Sequence, residues 1–292
     1  MTLERSRLVP VRDTQLFVVE RGEAAGFPLI VLHGGPGLDH WEFADYLDAL
    51  TEDGRYRLVL VDQRAQGRSD RSAPSSTWTV AEMAADVSAL AAALGEERYA
   101  VLGHSFGAFV ALEHAVAEPG AAVATIVSSG VPAAHWLEAV DRNLAEFEPV
   151  ELREQVASSW ARESTVTTAQ EAKSLLADQM PFHFADPRDP KIADFLARTA
   201  DEVLAPEVLK HFATADYGGI EVEHRLGEVT HPVLVLAGRH DRTCVVGAAE
   251  ATAAKTPGVE LVVFEHSGHM TYVEENEPYL AAVRDFLDRT TG

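Results

Sequence analysis

The sequence predicts an α/β fold, a mostly parallel central sheet flanked by helices with an inserted helical lid, and three observations predict it. Short apolar runs alternate with longer segments of three- and four-residue apolar spacing through the first 130 residues. That rhythm resumes after about residue 231. Between the two halves it breaks, and residues 132–225 read as helical throughout.

The elements follow in order. An early strand is read at 16–20, then strands at 28–32, 57–61, 99–102 and 122–128. Continuous apolar runs such as Pro28-Leu29-Ile30-Val31-Leu32 mean that both faces of the sheet are covered, as parallel sheets require. Crossover helices are expected at 41–50, 79–94 and 106–117, the last two stopped by Gly95 and Pro119. Past the insertion come a strand at 232–237, a helix at 245–255, a strand at 259–264 and a closing helix at 278–287. The predicted organisation is a core of residues 1–131 and 226–292 with a lid of residues 132–225. The lid aromatics Trp136, Phe147, Trp160, Phe182, Phe184 and Tyr217 are assigned to packing between helices, with a substrate pocket as the alternative.

Charge and composition exclude several functions. Lys and Arg total 24 against 46 Asp and Glu, a net charge of −22, with no basic block or stripe, which argues against nucleic acid and anionic membrane surfaces as partners. No stretch reaches the roughly 18 apolar residues of a membrane span, and the N-terminus lacks a secretory pattern. The single cysteine, Cys244, forbids an intrachain disulfide and a thiolate-built zinc site, so a cytoplasmic location is expected. The lid carries nine basic and eighteen acidic residues, scarcely more acidic than the whole, so its charge alone does not argue for a cationic substrate.

Chemistry concentrates at four places. Gly103-His104-Ser105-Phe106-Gly107 follows a predicted strand and opens a predicted helix, the context in which G-x-S-x-G forms a nucleophile elbow. Ser105 then requires a base and a group to orient it. Asp241 follows the strand at 232–237, and His269 follows the strand at 259–264, so Ser, Asp and His come in the order this arrangement needs, each at the carboxyl end of a strand. Their neighbours His240 and His266 are read as exposed loop residues, and the His266-x-x-His269 pair as no metal site. His33-Gly34-Gly35-Pro36-Gly37 fixes a tight loop after the strand at 28–32. Its Gly35 N–H and the Phe106 N–H are the expected oxyanion donors, with His33 bracing the loop. Asp62 and Arg64 are expected to pair with backbone or with each other and shape the loop beneath the site, without a catalytic part.

Together, His33-Gly-Gly-Pro-Gly37, Asp62-Gln63-Arg64-x-x-Gly67-Arg68-Ser69, Gly103-x-Ser105-x-Gly107, Gly238-x-x-Asp241 and Ser267-Gly268-His269 resemble the proline iminopeptidase (prolyl aminopeptidase) branch of the α/β-hydrolase superfamily. The triad and elbow are shared by the superfamily; the first two motifs point to this branch. Ala65 stands where the branch usually has Gly, and His104 and Phe106 replace its usual neighbours of the nucleophile, His104-Ser105 being more typical of esterases and lactonases. The resemblance implies a serine hydrolase that forms an acyl-enzyme, needs no cofactor, and releases N-terminal proline or another small residue from a short peptide. It also implies that lid glutamates hold the free amine, though no motif selects one. A carboxylic ester or lactone hydrolase is the alternative, and a non-catalytic binding protein on the same scaffold is a third reading that the intact Ser, Asp and His set opposes.

Overall fold

The structure, a computed structural model, describes residues 4–292. Eight strands form one sheet: β1 (Glu4–Val11), β2 (Thr14–Arg21), β3 (Phe27–Leu32), β4 (Tyr56–Asp62), β5 (Ala100–His104), β6 (Ala124–Ser128), β7 (Val233–Gly238) and β8 (Val259–Phe264). Their spatial order is β1-β2-β4-β3-β5-β6-β7-β8, antiparallel across β1, β2 and β4 and parallel from there on. β1 had no counterpart in the sequence reading: its burial runs exposed for five residues and only Val9 and Val11 turn inward, so it carries little apolar signal of its own.

Alternation along the strands separates two cores. Ile30, Leu32, Val59 and Val61 face α1 (Val80–Leu94), α2 (Phe106–Ala117) and, further along the sheet, α8 (Val246–Lys255). Leu29, Val31, Leu58 and Leu60 face the opposite way, towards the short helix α9 (Thr271–Glu274) and the closing helix α10 (Asn276–Thr290). Strands buried on both faces are what the continuous apolar runs required. Helix α1 starts where Thr79 accepts from the Glu82 N–H and stops at Gly95, whose left-handed conformation (φ 80°) suits glycine.

The crossover helix expected at 41–50 does not form. Two 3-10 turns, His40–Phe43 and Asp48–Thr51, stand there instead, interrupted at Ala44, whose φ of 41° no helix accommodates. Asp39 caps the first turn through the Trp41 N–H at 2.9 Å, and Arg21 donates to the Ala44 carbonyl. Phe43, Leu47 and Leu50 are nonetheless buried, so their spacing reported burial without helix continuity.

Between β6 and β7 the chain forms α3 (Ala139–Ala145), α4 (Val150–Arg162), α5 (Ala169–His183), α6 (Lys191–Arg198) and α7 (Pro206–Ala213), with intervening 3-10 turns. The two ends of this segment meet: Ala134 N–H donates to the Ile220 carbonyl and Val222 N–H to the Pro132 carbonyl, at 2.8 and 2.9 Å. Phe147, Val156 and Phe182 make a small core of its own, while Phe184 joins the core beneath α10. Among the described residues, no helix is long and apolar enough to cross a membrane.

Candidate active site

The strand-to-helix turn at Ser105 is sterically determined. Ser105 sits at φ 52°, ψ −118°, tied to β6 by its N–H to the Ser128 carbonyl at 2.9 Å. A Cβ on Gly103 would lie 2.1 Å from the Gly107 carbonyl oxygen, and one on Gly107 would lie 2.2 Å from that of Leu32. Both glycines are therefore required for β5, α2 and β3 to approach closely enough to project the serine.

Two further strand ends carry the candidate base and its partner. Asp241, just past β7, accepts from the Thr243 and Cys244 N–H groups through Oδ1, each at 2.8 Å, which leaves Oδ2 to accept from His269 Nδ1 at 2.8 Å. Both side chains are buried. His269 is held from three sides: its N–H donates to the His183 carbonyl at 2.6 Å, and its ring lies 5.0 Å from those of His104 and His183. Burial alone would lower the His269 pKa, but the charge of Asp241 and its hydrogen bond outweigh burial and raise it. The same burial, unopposed by a carboxylate partner, holds His104 and His183 well below the ordinary range, so the flanking rings stay neutral. With Nδ1 committed to Asp241, Nε2 is the nitrogen left for Ser105, whose hydroxyl makes no hydrogen bond among the described residues. Such contacts often close only when substrate binds.

The glycine loop adds the electrophilic side. Gly37 N–H donates to Gln66 Oε1 at 2.6 Å, and Gly34 N–H to Glu42 Oε2 at 2.5 Å. Gly35 N–H and Phe106 N–H donate to nothing among the described residues, and both residues line the cavity that holds Ser105 and His269. His33 braces the loop: Nδ1 contacts the Gly34 carbonyl, Nε2 accepts from Gln63 N–H, and burial lowers its pKa to about 4. Asp62 pairs with backbone as expected, accepting from the His40 and Arg68 N–H groups, but Arg64 does not pair with it. The Arg64 guanidinium reaches instead to Asp86 and Asp13, because β4 delivers it beneath the sheet edge against α1. His240 and His266 are exposed, and neither belongs to a group of converging ligands. Asp241, Cys244 and His269, like Asp39, His40 and Asp62, each bring three ligand atoms within 4.8 Å of one another. In both groups every carboxylate oxygen already accepts a hydrogen bond, which accounts for the clustering without a metal.

Ser105, His269, Gly35 and Phe106 open on a cavity of about 700 Å³ between the sheet edge and the inter-strand helices. The apolar side chains of Leu38, Phe109, Leu137, Val140, Leu144 and Leu176 make one part of its wall. Glu42, Glu138, Asp141, Glu163 and Asp216 also line it, and no Lys or Arg does among the described residues. Burial pushes the carboxyls of Glu42 and Glu163 up to about 7, against hydrogen bonds that oppose the shift. Sequence reasoning missed Glu42, Glu163 and His183. Glu42 fell inside an expected helix, and nothing in its spacing marked it; the 3-10 turn His40–Phe43 that replaces that helix carries it as a buried residue.

A family model described as alpha/beta hydrolase fold matches residues 28–276. Two curated relatives, the proline iminopeptidases of Heyndrickxia coagulans and Clostridium botulinum, are each 28% identical, covering 90% and 92% of this chain and 91% and 92% of their own. Among solved structures, the proline iminopeptidase of Mycobacterium smegmatis is 29% identical with a TM-score of 0.76 over 98% of both chains. An esterase from Exiguobacterium antarcticum shares the fold at 22% identity and a TM-score of 0.75, over 97% of this chain and 100% of its own. A match over most of the length, on a sheet of this order, places the chain in the alpha/beta hydrolase fold family.

Proposed function

We propose that the protein is a serine hydrolase that removes N-terminal proline or another small residue from short peptides, with residues 132–225 acting as the lid over its site. Ser105 Oγ attacks the scissile carbonyl as His269 Nε2 takes its proton, and Asp241 holds the imidazole in the Nδ1–H tautomer and stabilises its cation. The oxyanion accepts from Gly35 N–H and Phe106 N–H, which donate to nothing among the described residues and belong to residues that line the cavity. The C–N bond breaks, the leaving amine departs with the proton from His269, and water activated by the same imidazole releases the acyl group. Each step uses this chain's own residues.

The observation that carries the peptidase reading is the cavity's lining: five acidic side chains, the exposed Glu138, Asp141 and Asp216 and the buried Glu42 and Glu163, with no Lys or Arg among the described residues, which favours a substrate bearing a cation. Lid charge as a whole gave no such support; the cavity wall gives it. The relatives named proline iminopeptidase support the same reading. The apolar side chains of Leu137, Val140 and Leu144 favour a second one, an ester or lactone hydrolase whose acyl group rests there. A panel of prolyl and alanyl arylamides, their N-acetyl forms, short acyl esters and lactones separates the two. Discrimination against the acetylated amine supports the peptidase, and turnover of esters and lactones alone retires it.

A further inference from the structure

The end of α5 lies against the two loops that carry Asp241 and His269. Direct backbone pairing between those loops stops at the His240 N–H, which donates to the Ser267 carbonyl at 2.9 Å. Past that point the His269 backbone finds its partners elsewhere. Its N–H donates to the His183 carbonyl at 2.6 Å, and its carbonyl accepts from Ser129 Oγ at 2.8 Å.

Two charged side chains hold residues 182–185 in that place. Arg242, the neighbour of Asp241, donates through Nη1 to the carbonyls of Phe182 and Phe184 at 3.2 and 2.6 Å, and through Nη2 to that of Ala185 at 3.1 Å. Glu274 takes the opposite polarity. Its Oε1 accepts from the Ala185 N–H at 2.7 Å, and its Oε2 accepts from the N–H of Gly268, immediately before His269, at 2.8 Å. One guanidinium thus ties the segment to the Asp241 loop, and one carboxylate ties it to the His269 turn.

Packing and side-chain chemistry make both ties specific. A Cβ on Gly268 would lie 2.5 Å from the His183 carbonyl oxygen and 2.8 Å from Ala185 N, so the segment rests directly on the backbone that precedes the histidine. A carboxylate accepts from N–H groups on both chains, whereas glutamine offers one acceptor and turns its amide donor against the other N–H. The guanidinium fork reaches three carbonyls that the single ammonium of a lysine does not span. Against the burial that lowers the His269 pKa, Glu274 also adds its charge to those of Asp241 and Glu42 in raising it.

We propose that Glu274 and Arg242 are positioning residues for the base: by gripping residues 182–185 from both sides they fix the His183 carbonyl that orients His269, so that a segment outside the sheet completes the Asp241–His269 pair. This rests on the reading of Ser105, Asp241 and His269 as a triad and adds the device that aligns it.

The test compares the wild type with Glu274→Gln and Arg242→Lys in three measurements: hydrolysis of L-prolyl 4-nitroanilide and 4-nitrophenyl propionate, the rate at which a fluorophosphonate modifies Ser105, and the far-downfield proton resonance of His269 Nδ1–H. One base serves both acylation and deacylation of every substrate. The expected result for Glu274→Gln is therefore a fall in kcat of about tenfold to a hundredfold, alike on each substrate that the wild type turns over, with KM nearly unchanged. Phosphonylation should slow in step, and the Nδ1–H resonance should shift or vanish. Arg242→Lys, which keeps the charge, should show the same pattern at smaller amplitude, and it carries the test if the glutamine variant does not fold. Wild-type kcat with an unmoved resonance would reduce both residues to braces and overturn the proposal. A rise in KM with kcat unchanged would overturn it too, because the segment would then shape the cavity and not the base. Normal hydrolysis by Ser105→Ala refutes the triad reading itself, whereas an inert Ser105→Ala beside a fully active Glu274→Gln refutes this proposal alone.

Discussion

Gly238→Ala tests whether the triad depends on a close backbone approach. Gly238 ends β7, and a Cβ there would lie 1.9 Å from the Gly268 carbonyl oxygen and 2.5 Å from that of Ser267, where real contacts essentially never fall below 3.0 Å. Neither obstacle is a flexible side chain, so the loop before His269 must withdraw from the strand by roughly 1 Å. The Nδ1–Oδ2 bond to Asp241 begins at 2.8 Å, and that displacement carries it past any useful hydrogen bond. A misplacement of this size costs about 10²-fold in rate, and full loss of tautomer control about 10⁴-fold. We expect kcat to fall within that range, with an overpacking cost of about 1–3 kcal/mol seen as a fall of several degrees in Tm. Gly227→Ala is the control: nothing lies within 4 Å of its added Cβ, its φ is not positive, and its stability should stay within about 0.5 kcal/mol of wild type. Arylamide kinetics and thermal melts measure both variants. A Gly238→Ala enzyme with kcat within a few-fold of wild type would refute the claim that this glycine sets the Asp241–His269 geometry.

Where the sequence was legible, burial and backbone geometry spoke through the same residues. Strand β8 and the helices α1 and α2 lie where periodicity put them, give or take a residue, because an apolar run bounded by Gly95 or Pro119 states both its core face and its end. Across 41–50 the two signals diverged. Phe43, Leu47 and Leu50 have helical spacing, but the left-handed Ala44 that interrupts them leaves no mark on composition. The same divergence hid the acidic wall. Ser105, Asp241 and His269 could be nominated because each sits at a strand end within a motif, and the Asp241–His269 contact follows from strand order. Glu42 and Glu163 come from 3-10 turns, the second directly after α4, elements whose orientation depends on tertiary packing. Total charge over residues 132–225 was a poor guide for that reason: a sum does not say which acidic side chains line the cavity, and Glu42 comes from outside that segment.

The remaining predictions probe the proposed nucleophile, the proposed orienting carboxylate and a buried acid. Ser105→Ala should lower turnover of every substrate by several orders of magnitude with Tm nearly unchanged, since both residues meet the same φ of 52°; near-normal hydrolysis would remove Ser105 from the mechanism. Asp241→Asn should cut kcat by about 10⁴-fold through the wrong imidazole tautomer, whereas His240→Ala, at an exposed position, should be mild, and the reverse ranking would show the orienting residue misplaced. Glu163 gives a pH signature independent of catalysis. Its folded pKa of about 7 stands above the 4.5 of an unperturbed glutamate, so the fold favours its protonated form. That preference is complete below pH 4.5 and is lost as pH rises through 7, a change on the order of 3 kcal/mol for a group buried this deeply. Glu163→Gln keeps a neutral side chain at every pH, so from pH 5 to pH 8 its Tm should fall less than that of the wild type. If the two curves instead run parallel across that interval, Glu163 does not titrate there, and its burial between Gln179 and Tyr217 stabilises the carboxylate enough to cancel the desolvation argued here.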